Sequence, residues 1–264
     1  MVKHGFLYST VEKYLESFDL VLFRGGNFAA DAIIYIQKLS LDVKPPTGTD
    51  VSHVGMIVRS DILDHPGVLP GKTYILESTM SMPNFLKGAE AVPTIEGDGC
   101  FGVQLRQYEP LIRAYDRPDN TAISIGKLLD NPAANGGGQL IKAKFTEFFK
   151  KISDIKYDFK PTSLFGAAFP CCRCMRDVSD EISGGELLFC SELIALVYKE
   201  FGILPQTVDP RNVIPMDFIP GLDRDGDIGQ IIQMPIVPIV SSYHFNNVDN
   251  GSSHNDILTH LFMR

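Results

Sequence analysis

A chain of 264 residues with 44% hydrophobic content can build a full hydrophobic core as one elaborated domain, and no second compositional regime appears before the C-terminal tail. Its 24 basic and 32 acidic residues leave a net charge of −8 with no basic cluster to offset it, which argues against nonspecific binding to nucleic acid or to an anionic membrane surface. No apolar run approaches the roughly 18 residues of a membrane-crossing helix and no basic-then-apolar leader is visible, so a cytoplasmic protein without a transmembrane segment is expected.

In chain order, residues 9–16 read as a helix and DLVLF (19–23) as a strand. The strand meets Gly25 and Gly26 before a helix over 28–39, where Ala29, Ile33, Ile36 and Gln37 recur at helical spacing. A loop with Pro45, Pro46 and Gly48 then leads into VSHVGMIV (51–58), a β-branched apolar run that reads as a strand. His53 is the one histidine of six inside such a run: His4 is near the start, His65 precedes a proline, and His244, His254 and His260 lie in a polar tail. Alternation sets Val51, His53, Gly55 and Ile57 on one face, with Gly55 expected to leave open space beside the imidazole for a substrate or a helix. A histidine so placed is either a hydrogen-bonded core residue or a base. TYILES (73–78) is the next strand, set off by the Asp-, Pro- and Gly-rich stretch 60–72, and Glu77 shares a face with Ile75. A buried carboxylate needs a partner. The second ring N–H of His53 would serve, fixing the tautomer as the orienting member of a triad does; at an exposed strand end Glu77 would need none.

Further strands fit 101–106 and 121–125, and NPAANGGG (131–138) breaks the chain. QLIKAKFTEFFKKISD (139–154) then sets Ile141, Phe145, Phe148, Phe149 and Ile152 on one stripe with lysines opposite, as a packing helix does. Five cysteines make no disulfide framework, and their odd number leaves at least one free. Cys171, Cys172 and Cys174 cluster in FPCCRCMR without the second pair or the histidines that zinc sites use, so a structural or redox-sensitive loop is expected. Cys100, in GDGCFG, has no base near it in sequence and reads as structural. No metal and no cofactor is expected.

FCSELIALVYKE (189–200) is different. Cys190, Leu193, Ile194, Val197 and Tyr198 share one helical stripe, and Cys190 opens the helix, where the macrodipole and free backbone N–H groups favour thiolate. A buried thiol on an apolar stripe is also ordinary packing, so a nucleophile needs a base, and His53 is the best candidate. Gly202 reads as the helix stop, followed by prolines at 205, 210, 215 and 220. DRDGD (223–227) lacks calcium-loop spacing and reads as a surface turn, MPIVPIV (234–240) as an edge or extended strand, and the polar tail as able to dock on the body or on a protein partner. The division expected is a catalytic domain over 1–225 and a C-terminal extension over 226–264.

Taken together, FDLVLFRGG (18–26), SHVGMIV (52–58), YILES (74–78), YDF (157–159) and FCSELIALVYKEFG (189–202), in this order, resemble the permuted papain-like amidases, a circularly permuted branch of the NlpC-type cysteine peptidase superfamily. The resemblance covers roughly residues 15–220 and rests on short motifs separated by long unmatched stretches. It implies an α+β papain-like fold in which a central antiparallel sheet packs against the cysteine helix. It also implies Cys190 as nucleophile, His53 as base and Glu77 as orienting carboxylate, together cleaving a peptide, isopeptide or acyl-amide bond through a thioester. Substrates so implied are peptides, peptidoglycan-like molecules or acylated molecules. A lipid acyltransferase of the same superfamily would use the same thioester. A noncatalytic binding or structural module, including one incorporated in an assembly such as a virion, would keep the fold without turnover. Tyr157 is a candidate second oxyanion donor by its family-like position, although packing explains it equally. Ser52, Ser191 and Glu192 flank the key residues, and helix capping accounts for them about as well.

Overall fold

Long runs of apolar and β-branched residues, such as Leu20–Arg24 and His53–Arg59, are what a sheet covered on both faces requires, and that is how they are used. The computed structural model describes residues 6–25, 28–40, 50–80, 94–95, 101–116, 122–134, 138–157, 187–220 and 232–240. Among these are strands β1 (Phe6–Leu7), β2 (Leu20–Arg24), β3 (His53–Arg59), β4 (Thr73–Met80), β5 (Phe101–Gln107), β6 (Ala122–Leu128), β7 (Lys156–Tyr157), β8 (Leu187–Leu188) and β9 (Ile232–Val240). The helices are α1 (Tyr8–Glu12), α2 (Phe28–Ser40), α3 (Tyr108–Tyr115), α4 (Gly138–Ile152) and α5 (Cys190–Glu200). The protein is α+β. Its main sheet runs β1-β9-β6-β2-β3-β4-β5, with the five strands from β6 to β5 all antiparallel.

Alternation along these strands feeds two cores. Leu20, Leu22, Val54, Met56, Val58, Tyr74, Leu76 and Leu105 point to one face. That face is covered by Phe145, Phe149 and Ile152 of α4, by the Leu193, Ile194, Val197 and Tyr198 stripe of α5, and by residues between Leu204 and Ile219. Val21, Phe23, Ile57, Ile75, Ile123 and Ile125 point the other way, beneath Val11 of α1 and Tyr108, Leu111, Ile112 and Tyr115 of α3. The result is three layers, helix on sheet on helix. Val51, expected on the His53 face, lies instead in the α5-side core, because β3 begins only at His53 and the chain before it does not alternate as strand.

Several boundaries carry their own chemistry. Helix α5 ends in a Schellman motif: Gly202 takes φ +71, its N–H donates to Lys199 O, and the Ile203 N–H donates to Tyr198 O at 2.8 Å. The helix expected over 9–16 stops at Glu12, and the chain turns through residues 13–19 to bury Asp19. There Asp19 accepts from Lys127 Nζ at 2.9 Å, from the Leu128 N–H at 3.1 Å and from the Glu16 N–H at 2.8 Å. The expected edge strand over 234–240 is β9, which joins the main sheet beside β6. On its outer side β1 bridges Ile239 and Val240. Pro235 falls in the irregularity between Ile125/Val237 and Lys127/Gln233, where no ladder donor is needed. Residues 232–240, part of the expected C-terminal extension, therefore belong to the sheet. Cys100, the 171–174 cysteines, the DRDGD turn and the chain beyond residue 240 lie outside the described residues.

Candidate active site

His53 opens β3, Glu77 sits midway along β4, and Cys190 opens α5. Antiparallel pairing of Met56 with Leu76 and Ile57 with Ile75 carries the register on to set Gly55 opposite Glu77, with His53 one diagonal step away on the same face. His53 Nε2 stands 2.7 Å from Glu77 Oε2. Gly55 is what allows this: a Cβ there would lie 2.6 Å from Ile75 Cγ2 and 3.3 Å from Leu76 O. The glycine thus permits close approach of the neighbouring strand. It does not leave the open space beside the imidazole that its sequence context suggested.

Glu77 is fully buried. Burial alone would raise its pKa, but the hydrogen bond and charge of His53, and then the charge of Arg106, outweigh it and hold the carboxyl below its ordinary value. Arg106, 1% exposed, places Nη1 3.7 Å from Glu77 Oε1. It sits opposite Ile75 on β5, and the isolated bridge between Thr94 and Arg106 covers the edge of that strand.

Cys190 is a free thiol, 4% exposed. Its helix lies on the opposite face of the sheet from the side chain of His53, and the two meet because each is the first residue of its element. Burial opposes charge on His53, yet the neighbouring Cys190, through its charge and a hydrogen bond, and then Glu77, push the imidazole up to about 10. With Nε2 committed to Glu77, Nδ1 is the ring nitrogen left for the sulfur. Such an arrangement favours the charged imidazole. The structure thus brings Glu77 into hydrogen-bond contact with His53 and sets Cys190 near enough to act on the imidazole.

Two further residues complete the surroundings. The Tyr115 ring lies parallel to His53, 10° between planes at 6.2 Å, and Phe23 flanks the imidazole at 5.5 Å. Burial, then the charge of Glu77, push the Tyr115 phenol well above its ordinary value, so it stays neutral beside the ion pairs. Sequence reading assigned no helix to 108–115, although Tyr108, Leu111, Ile112 and Tyr115 have i, i+3, i+4, i+7 spacing and would have revealed it. Arg106 was visible only as a lone cation ending a strand.

The flanking polar residues have structural partners. Ser52 Oγ accepts from the Gly25 N–H at 2.9 Å, Ser191 Oγ donates to Val213 O at 2.7 Å, and the Glu192 carboxylate reaches back to the Phe189 N–H at 3.4 Å, half of a capping box. Tyr157 pairs with Leu188 between β7 and β8, two residues before Cys190 on the neighbouring strand; Asp158 lies outside the described residues. Among the described residues no group of three or more His, Cys, Asp or Glu could hold a metal ion, and no helix is long and apolar enough to cross a membrane. Comparison of the sequence with protein-family models and with curated proteins finds no match.

Proposed function

We propose that this protein is a cysteine-dependent acyl-transfer enzyme of the permuted papain-like type, cleaving an amide bond through a thioester. The observation that carries the reading is the buried Glu77 hydrogen-bonded to His53 at 2.7 Å, with Cys190 and Glu77 both pushing the imidazole toward its charged form. The order His53, Glu77, Cys190 along the chain is the one the resemblance requires.

The Cys190 thiolate attacks the carbonyl carbon of an amide, and the oxyanion that forms is stabilised by the Cys190 backbone N–H at the start of α5. Collapse breaks the C–N bond, and the His53 imidazolium gives its proton to the leaving amine. His53, now neutral, takes a proton from water, whose oxygen attacks the thioester; the C–S bond breaks, the acid leaves, and the thiolate and imidazolium are restored. Throughout, Glu77 holds the imidazole orientation and stabilises its charge. The substrate class is an acyl amide, whether a peptide, an isopeptide or an acylated small molecule.

Mass-resolved iodoacetamide labelling tests the assignment. Cys190 is expected to react fastest of the five cysteines, and His53→Ala is expected to abolish the advantage. Incubation with acyl-amide and thioester probes should add the acyl mass at Cys190 in the native protein and not in Cys190→Ala. Labelling of Cys190 that is no faster than that of the other cysteines, or unaffected by His53→Ala, overturns the reading.

A further inference from the structure

We propose that Arg106 is a positioning residue of this site, acting through Glu77: its buried guanidinium is the counter-charge that anchors the far oxygen of the carboxylate whose near oxygen holds His53. The inference rests on the reading of Cys190 and His53 as a reactive pair and adds a member that neither touches the sulfur nor lies near it in sequence.

The geometry is a line of alternating charge. Glu77 presents Oε2 to His53 at 2.7 Å and Oε1 toward Arg106 Nη1 at 3.7 Å, and the Arg106 and Glu77 side chains are 1% exposed or less. Thiolate, imidazolium, carboxylate and guanidinium together sum to zero. A buried carboxylate loses most of its hydration, so an adjacent cation decides how firmly it stays ionised. Among the described residues, the groups facing Glu77 are His53 on β3, Arg106 on β5 and the neutral Tyr115 on α3; its partner across the β4–β5 ladder, Gln104, carries no charge. Arg106 is thus the cation on the side away from the thiol. The register pairing of Ile75 with Arg106 puts it on the Glu77 face, and the Thr94 bridge shields it at the sheet edge. If Glu77 became neutral, the imidazolium would lose its stabilising charge, and the thiolate with it.

The test is the pH profile of Cys190 alkylation by iodoacetamide, followed by peptide mass in folded protein. An opposite charge at this range moves a carboxyl by about 1–3 units. Arg106→Met is expected to displace the rising limb upward by about one unit, roughly tenfold slower labelling on that limb, and Arg106→Lys to recover most of it. In a Glu77→Gln background, Arg106→Met should add nothing further, because the residue acts through the carboxylate. An unshifted profile in folded Arg106→Met, or an equal further loss in the Glu77→Gln background, overturns the proposal. Should Arg106→Met fail to fold, Arg106→Gln and Arg106→Lys carry the comparison: an upward shift in Arg106→Gln that Arg106→Lys lacks supports the proposal, and unshifted profiles in both overturn it. Failure of the underlying reading shows separately, as native labelling that does not respond to His53→Ala.

Discussion

Replacing Glu77 with glutamine tests the buried line through stability, independently of any substrate. A charge-assisted hydrogen bond contributes about 1.5–3 kcal/mol and a neutral one about 1, so the His53 contact at 2.7 Å should lose about 1–2 kcal/mol when the acceptor becomes an amide. Arg106, left in the sheet interior with its counter-charge gone, adds to this. Severing a buried pair outright costs about 3–5 kcal/mol, and at 3.7 Å the Arg106 contact should contribute only part of that. The expected loss at pH 7 is therefore about 2–4 kcal/mol, a large fraction of the roughly 5–15 kcal/mol of a typical domain. Urea unfolding followed by far-UV circular dichroism measures it, since the chain has no tryptophan to report by fluorescence. The pH dependence has a definite sign. Glu77 is lowered in the folded protein, so its contribution is present above the unfolded carboxyl pKa of about 4.3 and disappears as pH falls through the folded value. His53 is raised, so its contribution is full below about 6.5 and lost as pH climbs through about 10. The gap between native protein and Glu77→Gln should thus be widest near pH 5–6.5 and narrow toward acid and toward strong alkali. A gap below about 0.5 kcal/mol at pH 6, or one constant from pH 4 to pH 10, would refute the assignment of an ionised, paired Glu77.

At the opposite end of the sheet, burial pushes Asp19 up to about 6 although Lys127 opposes it. This group's contribution is greatest below about 3.9 and is lost as pH rises through 6. Lys127→Met should accordingly destabilise by about 3–5 kcal/mol at pH 7.5 and by visibly less at pH 5, as read by thermal unfolding at both values. Gly55→Ala should lose about 1–3 kcal/mol through the contact with Ile75 Cγ2, and much of that loss should vanish when the methyl is absent in Ile75→Ala; full additivity in the double variant would reject the clash. Tyr198 donates to Phe18 O at 2.6 Å in the core, holding a bulky residue at φ +74. Tyr198→Phe should remove about 1–2 kcal/mol with no change in Cys190 labelling, and a loss of labelling would mean that this bond reaches the site.

What could be read from the chain and what could not divide along a physical line. Period and composition place β3, β4 and α5 and point to His53, Glu77 and Cys190, because a thiol, an imidazole and a carboxylate inside apolar runs are anomalies of local sequence. Helix α3 is harder. Its stripe is short and carries Pro110, which usually breaks a helix; within the first turn the missing N–H has no intrahelical acceptor to lose. Arg106 and Gly55 were beyond local reading altogether. Arg106 lies alone at the end of a strand until the β4–β5 register sets it beside Glu77, and Gly55 is compatible with a substrate cleft until that register brings the Ile75 methyl against it. Lys127 belongs with them: 108 residues separate it from Asp19, and only the pairing of β2 with β6 makes them neighbours.

The topology also explains why the candidate nucleophile and its partners come from different faces of one sheet. Helix α5 buries its stripe among Val54, Met56 and Leu76, whereas His53 shares the opposite face with Phe23 and Tyr115. Midway along β3 the sheet itself would separate a residue on α5 from that imidazole. At the strand end it does not, so the first residue of α5 meets the first residue of β3 around the edge of the backbone layer. This division of labour lets each half be held by its own core. Tyr115 and the α3 layer fix the imidazole and carboxylate, while the α5 stripe and the Schellman stop at Gly202 fix the sulfur. A substitution that loosens α3 should therefore disturb the His53 orientation before it moves Cys190. Loss of packing under α5 should displace the thiol while the pair of His53 and Glu77 stays intact.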